Sequence, residues 1–239
     1  MGRITFLMLC GLFVLGLAFV VPHSFAIDKS SNKEYDNAVS GYNKTLEINP
    51  GDAEAYNNRG IAYGRKGEYD KAISDFSKAL QINPKLAKAY YYRGLAYGQK
   101  EEFDKAISDF NKVLQINPKL EKAYYYRGLA YYGKKGYDRA ISDYSKALEI
   151  NPGDAEAYNN RGLAYGQKEE FDRAISDYSK ALEINPKLAE TYYYRALAYY
   201  KKKDYDKAWH DVHEAQSLGF QVHPDFLETL RKASPEKPL

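Results

Sequence analysis

The chain has 239 residues, a formal net charge of +3 from 35 Lys plus Arg against 32 Asp plus Glu, 25 tyrosines and one cysteine. Charges of both signs are interspersed, which excludes the one-sign surface that nucleic acid requires. Cys10 lies in an apolar run, so the rest of the chain has no disulfide, thiol nucleophile or thiolate metal site, and its stability has to come from packing.

In chain order, the first 26 residues come apart from the remainder. Arg3 is their only charge, Ile4 to Val21 is almost unbroken apolar sequence, and Pro22-His-Ser-Phe-Ala follows. This pattern reads as an export signal, with Ser24 and Ala26 as the small residues of a cleavage site that would leave Ile27 at the mature N-terminus. Retention as a membrane anchor is the competing reading, because the run approaches the roughly 20 residues that cross a bilayer. Either way the repeats are expected outside the cytoplasm, in the periplasm or secreted, with residues 4–21 the only membrane contact. Leu9 stands where a lipoprotein signal would have a small residue before Cys10, which argues against a lipid anchor there. Without Arg3 the balance is 34 basic to 32 acidic residues.

From Asn49 onward the dipeptide Asn-Pro recurs every 34 residues, at 49–50, 83–84, 117–118, 151–152 and 185–186, using five of the nine prolines. With the proline as the thirty-second residue of a unit, five units run 53–86, 87–120, 121–154, 155–188 and 189–222. Residues 27–52 form a polar lead and a half unit, in which Tyr35, Ala38, Tyr42 and Pro50 match the second half of the repeat.

Each unit is predicted to hold two helices. The first carries aromatics at positions four (Tyr56, Tyr90, Tyr124, Tyr158, Tyr192) and eleven (Tyr63, Tyr97, Tyr131, Tyr165, Tyr199). A small residue stands between them at position eight (Gly60, Gly94, Gly128, Gly162, Ala196). Spacings of three, four and seven place these on one helical face, where the missing side chain admits a second helix. That helix offers its own small residue at position twenty, Ala72, Ala106, Ala140, Ala174 or Ala208. An Asp at position eighteen suits its positive end, and Asn-Pro stops it because a residue before proline is driven out of helical geometry. After the fifth unit, Pro224 and Asp225 open a short helix whose Phe226, Leu227 and Leu230 form an apolar edge suited to a closing cap. Residues 223–239 hold this helix and a polar tail.

These residues resemble the tetratricopeptide repeat family from 53 to about 222: aromatic at four, Gly at eight, Tyr at eleven, Ala at twenty, aromatic at twenty-four, small at twenty-seven and Pro at thirty-two. The fifth unit departs most, with Ala196, Val212 and Phe220. The resemblance implies an all-α, right-handed α-solenoid of stacked helix-turn-helix units with a C-terminal capping helix. It also implies a non-enzymatic scaffold or adaptor, similar to exported bacterial proteins of this type, that holds a peptide or protein segment in its concave groove.

Within that frame, the positions that vary are the candidates for contact. The family's concave face implies Asn57, Tyr91, Tyr125, Asn159 and Tyr193 at position five, with Lys88 and Lys122 at position two and Gln99 and Tyr132 further along. Lysines beside tyrosines suit an extended peptide with acidic and apolar side chains. The family's carboxylate-clamp pattern is missing, since position nine is Ile61, Leu95, Leu129, Leu163 and Leu197.

Position seven is always arginine (Arg59, Arg93, Arg127, Arg161, Arg195) and position twenty-three always aspartate (Asp75, Asp109, Asp143, Asp177, Asp211). The two series occur in the same units, which predicts structural ion pairs within each repeat rather than an anion-binding groove. His210 and His213 occupy positions that earlier units give to Ser or Asn, so they are expected on the surface and not as metal ligands. No motif of an enzyme, cofactor or small-molecule substrate site occurs. Asn43-Lys-Thr has the form of a glycosylation acceptor, meaningful only in a eukaryotic secretory pathway. Self-association is the second binding expectation, because the half unit lacks its first helix and leaves Tyr35, Val39, Tyr42 and Leu46 for a second copy.

Overall fold

The computed structural model describes residues 32–235; the apolar segment 4–21 and the end of the tail lie outside them. Among the described residues there are twelve helices and no strand, forming two compact units, 32–136 and 137–235. No helix of the described residues is long and apolar enough to cross a membrane.

The first unit holds α1 (Asn32–Ile48), α2 (Ala53–Arg65), α3 (Tyr69–Ile82), α4 (Ala87–Gln99), α5 (Phe103–Ile116) and α6 (Glu121–Gly133). The second holds α7 (Tyr137–Ile150), α8 (Ala155–Gln167), α9 (Phe171–Ile184), α10 (Ala189–Lys201), α11 (Tyr205–Ser217) and α12 (Pro224–Ala233). Within each unit every helix packs on its sequence neighbour, which makes each unit a stack of helical hairpins.

The glycine at position eight is a matter of space. A Cβ on Gly60 would lie 2.8 Å from the Phe76 ring, on Gly94 3.1 Å from Phe110, and on Gly162 2.7 Å from Tyr178. The ring at position twenty-four therefore fills the gap its own unit's glycine leaves. In the fifth unit Ala196 takes the glycine's place and Val212 the ring's, and both are fully buried. The smaller partner makes room for the added methyl group.

Stacking between neighbouring hairpins uses the same ring from its other side. Tyr92, Tyr126 and Tyr194 at position six stack on Phe76, Phe110 and Tyr178 of the preceding repeat, with centroids 6.2, 6.2 and 6.3 Å apart. A row of ion pairs adds to it. The lysine that ends each first helix reaches the acid at position eighteen of the preceding repeat: Lys66 to Asp36 at 2.6 Å, Lys168 to Asp138 at 2.7 Å, and likewise Lys100 to Asp70, Lys134 to Asp104 and Lys202 to Asp172. The aspartate placed by sequence at the positive end of a helix thus also ties one hairpin to the next.

Helix ends follow local chemistry. Asp52 and Asp154 cap α2 and α8 by accepting from the Ala55 and Ala157 amides at 2.9 and 3.0 Å. Asn83 and Asn185 before proline are extended and end α3 and α9. Between first and second helices the chain passes through the left-handed region at Gly67 in the first repeat and at Glu101, Lys135, Glu169 and Lys203 in the others. Only Gly67 occupies it without steric cost.

Candidate protein-interaction face

Within the two compact units, four arginines of position seven meet the aspartates of position twenty-three through two-pronged hydrogen bonds. Arg59 Nε and Nη2 donate to Asp75 at 2.7 Å each, and Arg93 donates to Asp109 at 2.8 Å twice. Arg161 and Arg195 hold Asp177 and Asp211 at 2.7 and 2.8 Å. Arg127 stands on α6 of the first unit and Asp143 on α7 of the second. Hydrogen bonding to Asp75 raises the Arg59 guanidinium above its ordinary range. Burial pushes the Asp211 carboxyl up, against the pull of Arg195.

Each guanidinium has further partners that the sequence reading did not find. Its Nη1 donates backwards, to position twenty-five of the preceding repeat: Arg59 to Asn43 at 2.7 Å, Arg93 to Ser77 at 3.0 Å, Arg127 to Asn111 at 2.6 Å, Arg161 to Ser145 at 3.0 Å and Arg195 to Ser179 at 2.9 Å. Tyrosines of positions four and eleven flank the same group, Tyr56 and Tyr63 lying 5.4 and 5.9 Å from Arg59. At Arg59, Arg93 and Arg195 a carboxylate, a hydroxyl or amide, and two ring faces account for the guanidinium's charge, so these rungs join repeats and offer no open anion site.

His213 needs a correction on this ground. Its position is not surface but the place from which Ser or Asn reaches the next arginine of the ladder, and after the fifth unit that ladder position is Thr229. The ring is partly buried and stacks on Trp209 at 5.8 Å. His210 is exposed, and His223 caps α12 by accepting from the Asp225 amide at 3.2 Å.

The face expected to meet a partner divides by depth. Lys88 and Lys122 are exposed at the starts of α4 and α6, and neither has an ion-pair partner among the described residues. Tyr91 is half-buried, packed edge-to-face on Tyr92 at 5.3 Å, Phe110 at 6.1 Å and Tyr126 at 6.0 Å. Burial pushes its phenol well above the ordinary tyrosine range. Gln99, Tyr132 and Asn159 are also half-buried.

Asn57, Tyr125 and Tyr193 are buried instead, and here the expectation of outward contact is corrected. Tyr125 turns its ring onto Tyr126 at 5.1 Å. Tyr193 lies against Phe220 and Phe226 at 5.1 and 5.8 Å, and burial raises its phenol to about 12. Asn57, 1% exposed, donates to Asn58 at 3.2 Å and leaves its own carbonyl oxygen without a partner. In the near-copy repeat the same oxygen, on Asn159, accepts from Thr191 at 2.9 Å; the residue equivalent to Thr191 after the first repeat is Ala89.

Helical hairpins of fixed period, locked to one another and carrying a separate set of variable side chains, define a repeat scaffold for protein interaction. The tetratricopeptide repeat family model matches residues 53–86, 87–120 and 155–188, and related models of the same repeat match 31–67, 134–169 and 178–210. The chain belongs to the tetratricopeptide repeat family. Among solved structures it is similar to YrrB, described as a tetratricopeptide protein with an unusual peptide-binding site. That structure is 26% identical, over 79% of this chain and 96% of YrrB, with TM-score 0.67. It is similar to MamA at 28% identity over 66% of this chain and 93% of that one, with TM-score 0.64. The pilF protein of Pseudomonas aeruginosa, 23% identical over 75% of this chain and 83% of its own, shares the fold with TM-score 0.66. No curated protein matches the sequence.

Proposed function

We propose that this chain is a non-enzymatic scaffold of the cell envelope whose first unit holds an extended peptide, one carrying acidic and apolar side chains, across α4 and α6. The observation that carries the reading is the contrast between two sets of cations on neighbouring helices. The position-seven arginines are enclosed by Asp, Ser or Asn and Tyr, whereas Lys88 and Lys122 stand exposed beside the tyrosine cluster of Tyr91, Tyr92 and Tyr126. Charge left uncommitted beside ring edges suits a ligand that brings carboxylates and apolar groups together. The description of YrrB as a peptide-binding tetratricopeptide protein supports the same reading. Export rests on Arg3, the apolar run and the Ser24 and Ala26 spacing.

The test is fluorescence anisotropy with a labelled peptide of alternating Glu and Phe, beside one of alternating Lys and Phe. The acidic peptide is expected to bind, more weakly as salt rises, and Lys88→Glu with Lys122→Glu to weaken it at least tenfold. Equal binding of both peptides, or indifference to the double substitution, would overturn the assignment. Fractionation of cells expressing the full chain tests the location: recovery with the cytoplasmic proteins would remove the envelope from the proposal.

A further inference from the structure

Within the two compact units the second helices α3, α5, α9 and α11 are each covered on one side by the first helix of their own repeat, and α1 has no such partner among the described residues. The residues that show it lie at fixed unit positions. In the first full repeat Ala72, Phe76 and Ala79 face that cover and are fully buried; their equivalents on α1 are half-buried Ala38, half-buried Tyr42 and exposed Thr45. The aliphatic residue at unit position thirty makes the same point in one number. It is between 37% and 46% exposed at Ile82, Ile116, Ile150, Ile184 and Leu218, and 87% exposed at Ile48.

Gly41 adds an independent sign. It occupies the aspartate position of the ladder, and among the described residues a Cβ there would meet no atom within 4 Å, so none of them requires glycine in mid-helix. Glycine there weakens an isolated helix and is suited to the close approach of another backbone.

We infer that this side of α1 is an interface between two copies of the chain, packed antiparallel about Ser40. Tyr35, Ala38, Tyr42 and Thr45 follow one another at spacings of three, four and three, the seam of a helix that pairs with another. The seam alternates large and small. With two copies antiparallel and Ser40 level with Ser40, Tyr35 of each stands opposite Thr45 of the other, and Ala38 opposite Tyr42, so a ring meets a small residue at all four places. A parallel pairing sets ring against ring.

Charge agrees with this choice. Glu34 and Lys44 lie toward the same flank of the seam, neither has an ion-pair partner among the described residues, and the antiparallel register brings Glu34 of each copy within one turn of Lys44 of the other. The interface is isologous and closes at two copies. The residues named from sequence for self-association shift accordingly. Leu46 is buried and belongs to the chain's own core, while Ala38 and Thr45 join Tyr35 and Tyr42 in the seam.

Sedimentation equilibrium of the exported full chain from about 1 to 100 μM tests it. A monomer–dimer equilibrium is expected in that range. Thr45→Tyr, at an exposed site in the single chain, is expected to weaken dimerisation at least tenfold without changing the helical signal. Glu34→Lys and Lys44→Glu are each expected to weaken it severalfold, and the double variant to restore it, because the swapped charges still face each other. A chain monomeric throughout, or a dimer indifferent to all three substitutions, would overturn the inference.

Discussion

The two compact units are built from the same 34-residue text and differ in how their stacks end. The first unit begins on α1, whose Ala38, Tyr42, Thr45 and Ile48 are left open, and it carries 18 basic against 13 acidic residues between 32 and 136. The second closes on α12, which buries Phe226 and Leu230, and it carries 14 basic against 17 acidic residues between 137 and 235. A repeat cannot bury its own apolar face, so the last copy must either find a cap or keep a surface that wants a partner. Among the described residues the first compact unit keeps such a surface on α1, and the second has its cap in α12.

The largest test of that difference is truncation at the two ends. Phe226 is fully buried beneath Tyr193 and Tyr200, with centroids 5.8 Å away in both cases, so Phe226→Ala is expected to cost about 4 kcal/mol through lost transfer energy and the cavity left behind. Ile48→Ala at the open end removes a side chain already in water and is expected to stay within about 0.5 kcal/mol. The single tryptophan reports the closed end directly. Trp209 is buried, donates to the Ser234 carbonyl at 3.0 Å and lies beneath Arg231, so its fluorescence in a urea titration follows the cap. Equal costs at both ends would mean that α12 is not a cap.

The arginine ladder sharpens the comparison at a somewhat smaller scale. The Asp211 rung of the closed unit is fully buried, and burial is the leading influence on Arg195, whereas the hydrogen bond that Arg59 donates to Asp75 leads at Arg59. Removing the carboxylate leaves a guanidinium to be desolvated alone, at a cost that grows with enclosure. Asp211→Ala is therefore expected to cost about 3 kcal/mol and Asp75→Ala about half of that. Urea midpoints of the two variants decide the order, and the reverse order would refute enclosure as the cause.

A third contrast lies between near-copies. Asn159 has its side-chain oxygen satisfied by Thr191, and Asn57 has the same oxygen buried without a donor beside Ala89. Ala89→Thr is expected to stabilise the first unit by about 1 kcal/mol, the net worth of a recovered hydrogen bond. Thr191→Ala is expected to lose a similar amount from the second. Thermal melts of the two variants measure both. A destabilising Ala89→Thr would mean that the added methyl group has no room.

What could be read from the chain follows from what a period can encode. Thirty-four residues with Gly at eight and a ring at twenty-four define two helices and a close crossing, so hairpins, their number and the closing helix are legible in one dimension. The ladder's third contact was present as well, as Asn43, Ser77, Asn111, Ser145 and Ser179 in strict register, ending at His213, after which the ladder position is Thr229. It went unread because a serine at a fixed position looks the same on a surface as against a guanidinium. Depth is the harder quantity. Tyr91 and Tyr125 share residue type, unit position and an edge-to-face contact with the tyrosine that follows, yet Tyr91 is half-buried and Tyr125 buried. Register names a face and not how far a side chain stands from it.

The smallest expected effect separates surface ion pairs from the buried ladder. Glu68, Glu102 and Glu170 precede α3, α5 and α9, and hydrogen bonds from Lys66, Lys105 and Lys168 hold their carboxyls below the usual range, with Lys71, Lys100 and Arg173 adding to this. A carboxyl depressed in the folded state contributes stability above its unfolded pKa of about 4.3, and that contribution is lost as pH falls through the folded value. The carboxyls are half-buried and their partners Lys71, Lys105 and Arg173 exposed, so the contribution is small and screened by salt. Thermal midpoints of the chain and of a variant with all three changed to Gln are expected to differ slightly at pH 7 and to converge as pH falls through the depressed folded values, where the native carboxyls become neutral as well. Two of these acids lie in the open unit and one in the closed, so hydrogen exchange should find more of the lost protection in residues 32–136. A difference that persisted undiminished at pH 3 would mean that Gln disturbs the turn itself and that charge had little part in holding it.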